Sequence, residues 1–353
     1  MSKGDKTIWD LAIDKVHSSE DEKKGDESSV LFVGSKNAGK TSIIMRFLER
    51  DDAPKPTVAL EYTFGRRAKG HNMAKDVGHL WELGGGTWLS RLIDVVITAD
   101  TIKNMSVTLV LDLSTPGELW FTAETLLNAL RSRIDSVITE ARVKDPSIKD
   151  TLKKAASERI GPDHPDKDMM DPFLVPLVII GGKYDVFQDF DSEKKKVICK
   201  TLRFLAHYHG AQLQFFSSKQ DSLMSRARSL ISHLLFATPG GKSVQLDHNK
   251  PLQIPFGQDS LQQIGSPPFP DDDLGKVMAR NPLELWKTAY TSYFPQDSIS
   301  DPSLVEDPAK DSQYIEAAVD DMRKQKDEEL ERYRKISERK AKEAASQRGA
   351  VAS

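Results

Sequence analysis

The run Gly34-Ser35-Lys36-Asn37-Ala38-Gly39-Lys40-Thr41 leaves this chain few folds to choose from. It satisfies G-x-x-x-x-G-K-S/T at every fixed position. The apolar stretch Val30-Leu31-Phe32-Val33 precedes it, and Ile43, Ile44, Phe47 and Leu48 follow at helical spacing. A strand, a glycine-rich turn and a helix in that order make a phosphate cradle. The glycines let backbone N–H groups fold around an anion, and the helix N-terminus adds partial positive charge. In such a loop Gly34, Asn37, Ala38 and Gly39 shape the backbone. Lys40 reaches the outer phosphates of a nucleotide, and the Thr41 hydroxyl ligates Mg²⁺. An ordinary glycine turn is the bland alternative, and the flanking strand and helix argue against it.

Beyond the loop, short apolar runs alternate with helical periods. The runs are Ala59–Phe64, Val77–Leu83, Val107–Leu113, Leu174–Ile180 and Leu213–Phe216; the helical stretches are Lys40–Arg50, Gly117–Glu140, Ser192–His209 and Ser222–Phe236. That alternation predicts a mainly parallel sheet with helices on both faces, an α/β fold. It spans residues 29–238. A polar stretch at about 141–170 reads as a surface insertion, a loop with one short helix. Before the domain, residues 1–28 carry an amphipathic helix (Trp9, Ala12, Ile13, Val16) and a charged linker. After it, residues 239–310 are rich in Pro, Gly and Gln and read as extended. One helix interrupts them at about 282–294, opened by Asn281 as N-cap and Pro282 at N1. Residues 311–353 form a charged helical segment with i,i+4 pairs and an incomplete apolar seam.

Four later segments follow in the order used by Ras-like GTPases. Pro56-Thr57 resembles the switch I threonine. Trp81-Glu82-Leu83-Gly84-Gly85-Gly86 resembles the D-x-x-G switch II motif, with Glu82 for Asp and Gly85 as its glycine. Gly182-Lys183-Tyr184-Asp185 resembles N-K-x-D with Gly for Asn, and Ser217-Ser218-Lys219 resembles the S-A-K loop. The expected cofactor is GTP or GDP with Mg²⁺, bound but not required. Thr41, Thr57, Glu82 and Gly85 would stand at the Mg²⁺ and switch side; Lys183, Asp185, Ser218 and Lys219 would stand at the guanine. No metal is expected beyond the nucleotide-linked Mg²⁺. Gly86 stands where the water-orienting Gln belongs and has neither donor nor acceptor. No arginine finger is assigned, although Arg66 and Arg67 lie close by. These departures weaken hydrolysis more than binding, so the chain reads as a degenerate G domain and not an enzyme.

Composition narrows the rest. With 50 basic against 53 acidic residues the net charge is −3, which gives no whole-chain reason to bind nucleic acid. A single cysteine, Cys199, excludes an intramolecular disulfide, and no apolar run reaches membrane-spanning length. The chain reads as soluble and intracellular. His207 and His209, two apart on a helix, do not share a face and read as capping or exposed residues. The helix faces Trp9/Ile13 and Trp286/Tyr290/Tyr293 are large apolar surfaces and candidate partner contacts.

The run from Pro54 to Gly70 (Pro-Lys-Pro-Thr-Val-Ala-Leu-Glu-Tyr-Thr-Phe-Gly-Arg-Arg-Ala-Lys-Gly) resembles the dynein light intermediate chains. So do Trp81–Thr87, Pro176–Phe187 and Asn281–Lys287. The short tail and the Gly34–Thr41 loop are similar to the cytoplasmic dynein-2 branch of that family. The resemblance implies a Ras-like domain that acts as a scaffold on the dynein-2 heavy chain tail, among the other dynein-2 subunits. It further implies a role in retrograde intraflagellar transport and cilium assembly, contact with the intraflagellar transport machinery only indirectly, and no membrane insertion. The implied locations are the cytoplasm, the cilium (axoneme and basal body) and the cytoskeleton or centrosome. The alternative is a regulatory GTP-binding protein whose slow hydrolysis a partner stimulates.

Overall fold

A computed structural model describes residues 27–50, 52–68, 76–269, 281–296 and 316–351. The chain divides into two units, residues 1–299 and 300–353. The expected N-terminal helix with Trp9 and Ile13 lies outside the described residues.

The first unit is built on a seven-stranded sheet ordered β2-β3-β1-β4-β5-β6-β7. Its strands are β1 (Ser29–Gly34), β2 (Leu60–Arg67), β3 (Asp76–Leu83), β4 (Met105–Asp112), β5 (Leu177–Gly182), β6 (Gln212–Phe215) and β7 (Gln253–Ile254). Strands β3, β1, β4, β5 and β6 run parallel, and the edges β2 and β7 are antiparallel. The central strands β1, β4 and β5 are buried along their whole length because helices cover both of their faces. Side chains alternate across the pleat, so β1 sends Leu31 and Val33 into one core and Val30 and Phe32 into another. Helices α1 (Lys40–Phe47) and α7 (Asp221–Phe236) close the second core; α3 (Pro116–Ala141) and α6 (Ser192–Tyr208) close the first. Between them in the chain lie α2 (Ile93–Val96), α4 (Ile148–Ile160) and α5 (Tyr184–Phe187).

Three segments differ from the sequence expectation. Strand β5 starts at Leu177 instead of Leu174, since Pro176 has no N–H for a ladder. The polar stretch after α3 holds the 13-residue helix α4, which buries Ile148, Leu152, Ala156 and Ile160 at four-residue spacing.

 These four buried residues of α4 fall on one face, so the segment packs on the core instead of looping over the surface. The stretch after α7 does not stay extended. Leu252, Ile254 and Ile264 are buried there, with β7 on the sheet edge and the short helix α8 (Leu261–Ile264) beyond it.

Helix α9 (Pro282–Tyr293) starts as its sequence dictates, with Asn281 Oδ1 accepting the Glu284 N–H at 2.8 Å. The second unit is described by one element, α10 (Ala317–Val351). No helix among the described residues is long and apolar enough to cross a membrane.

Candidate functional site

The C-terminal ends of all five parallel strands converge, as ligand sites in such sheets do at the point where strand order reverses. β1 leads into the phosphate loop, β3 into Glu82–Gly86, β4 into Asp112, β5 into Gly182–Asp185 and β6 into Ser217–Lys219.

At the phosphate end, Gly34 has φ +144°, and a Cβ there would sit 1.8 Å from the Val110 carbonyl. Asn37 and Gly39 also take positive φ, and Ala38 is fully buried. The buried Lys40 ammonium donates to the carbonyls of Ser35 (2.9 Å) and Gly34 (3.4 Å). Burial lowers its pKa, and the Glu82 carboxylate opposes that shift. Thr41 Oγ1 donates to Glu82 Oε1 at 2.8 Å. Glu82 thereby reaches from the end of β3 to the first turn of α1. Burial raises the Glu82 pKa, while Thr41, the Lys40 charge and Thr57 hold it down. Thr57 also donates to Glu61 at 3.3 Å.

Three glycines shape the neighbouring loop. A Cβ on Gly84 would lie 2.2 Å from the Thr57 carbonyl, so the two switch segments touch through backbone alone. Gly85 and Gly86 follow at φ +70° and +63°. The register of β2 on β3 puts Leu60 opposite Leu83 at the site and Arg66 opposite Val77 at the far end. Six residues of strand separate them, about 20 Å. Arg66 instead lies over the Phe64 ring. Neither arginine reaches the site from β2.

At the base end the groups hold one another. Asp185 Oδ1 accepts from Ser217 Oγ at 2.8 Å, and its Oδ2 lies 2.6 Å from Lys219 Nζ. Partial burial works the other way, yet these bonds keep the Asp185 carboxyl below its usual range. Lys183 Nζ donates to Asp112 Oδ2 at 2.6 Å, and Asp112 also accepts from Ser114. Ser218 is exposed, and Ser217 makes the contact the sequence assigned to it. Gly182 has its own reason: a Cβ would stand 2.2 Å from the Ala38 carbonyl, so the Asn of the guanine motif has no room. Sequence reasoning misses Asp112 and names Ser217 only as part of the S-A-K resemblance, with no role of its own. The visible signal for Asp112 is an acid that closes the run Leu109-Val110-Leu111.

The phosphate side therefore fits a nucleotide's phosphates, with Lys40, the loop amides and Thr41 as the groups that would hold them. The guanine side fits only if Lys219 yields Asp185, since that ion pair occupies the recognition carboxylate.

Two further expectations need correction. Trp286 and Tyr290 do not face a partner. Trp286 stacks on Phe204 with ring centres 4.5 Å apart, and Tyr290 is fully buried with its hydroxyl donating to the Pro116 carbonyl. The helix starts beside an uncovered edge of α3 and α6, and its aromatic face is what closes that core. Only Tyr293, 39% exposed, remains at the surface. His207 and His209 are buried as well, because the segments around Asp171 and Asp259 fold over the end of α6. Burial and the Arg131 charge push the His209 pKa down to about 3. His207 lies 3.0 Å from Asp166, near His164. Both His164 nitrogens are engaged, by the Asp259 carbonyl and the Asp166 N–H, so this trio reads as a structural knot.

Comparison with known proteins places these features in a family context. A sequence model described as dynein light intermediate chain (DLIC) matches residues 3–164. The cytoplasmic dynein 2 light intermediate chain 1 of Bos taurus is 53% identical over 343 residues, covering 96% of this chain and 97% of that one. The Homo sapiens protein of the same name is 51% identical over 343 residues, covering 96% and 97%. A crystal structure of the dynein light intermediate chain's conserved domain aligns with TM-score 0.56 at 16% identity, over 78% of this chain and 99% of that one, which supports the shared fold.

Proposed function

The chain belongs to the dynein light intermediate chain family, and on that premise we propose that it is a non-catalytic accessory subunit of a cytoplasmic dynein 2 motor. In this reading it stabilises the heavy-chain tail for microtubule-based retrograde intraflagellar transport and cilium assembly. The motor's ATPase chemistry belongs to the heavy chain.

The observation that carries the reading is how the switch groups are spent. Glu82 is bonded to Thr41, Asp185 is paired with Lys219, and Gly86 offers no side chain to orient water. A domain arranged so can hold phosphates yet lacks the parts of a timer. Any nucleotide then acts as a structural ligand. One bound only by the folded state adds RT ln(1 + [L]/Kd), about 2.7 kcal/mol at a hundredfold excess over Kd.

The test is single-turnover hydrolysis of Mg²⁺–GTP by the purified chain, with and without the heavy-chain tail, alongside co-purification of a Lys40→Ala variant. The scaffold reading expects no acceleration by the tail and retained co-purification, with some loss of thermal stability where nucleotide is bound. The alternative, a regulatory GTP-binding protein, is favoured by the intact loop with Lys40 and Thr41 in place. It expects acceleration by the tail, and assembly that depends on GTP against GDP.

A further inference from the structure

The outer edge of the sheet carries a polar cleft that the nucleotide site does not use. On β5, Val178 and Ile180 face α7 within the apolar core. Their partners on β6 in the register are Gln212 and Gln214, and Gln253 of β7 stands opposite Gln214. Cross-strand partners share a face, so three glutamines occupy positions where the sheet should be apolar. Gln214 is 2% exposed, and its Nε2 has no hydrogen-bond partner among the described residues. A buried unpaired amide costs about 1–3 kcal/mol, which the fold alone gives no reason to retain.

Beside these amides a cleft of about 470 Å³ opens between α7 and the segment after it. Arg226, Ser229 and Lys242 line it, with Phe256 on one wall and no acidic residue. Among the described residues neither Arg226 nor Lys242 has a carboxylate partner, whereas Arg228 on the same helix pairs with Glu49. The cleft shares no lining residue with the phosphate loop or the switch segments.

We infer that this cleft, with Gln214, Arg226 and Lys242 at its centre, binds a small hydroxyl-rich phosphate, a phosphorylated polyol. The two cations take the phosphate, Arg226 through its planar fork of donors. The glutamine amides offer both donor and acceptor, which matches hydroxyl groups that are both in turn. Phe256 gives the C–H face of the ring an apolar wall. The volume lies within the range of small-ligand sites, about 300–1,000 Å³.

Isothermal titration of the full chain with inorganic phosphate and soluble inositol trisphosphate tests this. A parallel arm uses phosphatidylinositol bisphosphate in phosphatidylcholine vesicles. The expected result is that the inositol phosphate binds at least about tenfold more tightly than inorganic phosphate. Arg226→Ala should weaken it by a similar factor, and Lys40→Ala should leave it unchanged. Gln214→Leu should remove the preference over inorganic phosphate while raising the melting midpoint, because the unpaired amide is gone. Binding of the soluble compound alone points to a free metabolite, and binding of both to a lipid headgroup; either supports the assignment. The inference is overturned if neither compound binds, if binding is lost in Lys40→Ala but not in Arg226→Ala, or if Gln214→Leu lowers the midpoint with binding intact.

Discussion

Helices α9 and α10 both carry apolar residues at helical spacing, yet they end in opposite environments. In α9, Trp286 and Tyr290 are buried and Ala289 is fully covered; in α10, Val319, Met322, Leu330, Tyr333 and Ile336 are 51–63% exposed. The difference is one of size and of neighbours. Two large aromatic rings give α9 a compact face that fills a gap over Phe204 and Trp120. The α10 seam is thin and interrupted by charge, and its Glu331–Lys335 and Glu328–Arg332 pairs support the helix locally. Periodicity tells which face of a helix is apolar. It does not tell whether the chain itself supplies the cover.

The sharpest way to break this contrast is Trp286→Ala. If α9 belongs to the core, the globular unit should lose about 3–5 kcal/mol in chemical denaturation. A variant of ordinary stability that fails to bind the heavy-chain tail would return α9 to the partner-facing role.

Tyr290→Phe is gentler. It removes only the hydroxyl bond to the Pro116 carbonyl, which still accepts from Gln296 Nε2 at 3.2 Å. The expected loss is near 0.5 kcal/mol, the low end for a hydrogen bond, because the acceptor is not orphaned. A loss of 2 kcal/mol or more, on the order of a wholly unpaired group, would mean that Gln296 does not take up the carbonyl.

Lys287→Ala should cost less again. Its ammonium lies 2.7 Å from Glu124, but both side chains are well exposed, at 45% and 39%. About 0.2–0.5 kcal/mol is expected, fading as salt is raised. The smallest effect belongs to α10. Replacing Leu330 and Tyr333 together by Ala should leave the unfolding free energy of the globular unit within about 0.5 kcal/mol of the parent. A drop beyond about 1 kcal/mol would show that this seam is covered in solution, and the contrast with α9 would fail.

The sequence made part of the site legible for a plain physical reason. The phosphate loop is one contiguous run, so the turn glycines, Lys40 and Thr41 stand together in the chain as they do in space. The base end is assembled from three strand ends, and its departures were harder to interpret. Gly182 read as a missing Asn, and the structure shows that Ala38 leaves no space for one. Asp112, the partner of Lys183, lies 71 residues from it in the chain, and no local pattern links them.

Composition and periodicity also determined the order of strands and helices, the apolar centre of the sheet and the Asn281-Pro282 helix start, since each is a short-range consequence of backbone chemistry. Tertiary structure decided where α9 docks, why His207 and His209 are buried, how β7 extends the sheet, and that glutamines face α7 at its edge. Each of those depends on which distant segment arrives to cover a surface. A residue's neighbours across space, unlike its period along the chain, are set only once the whole unit has packed.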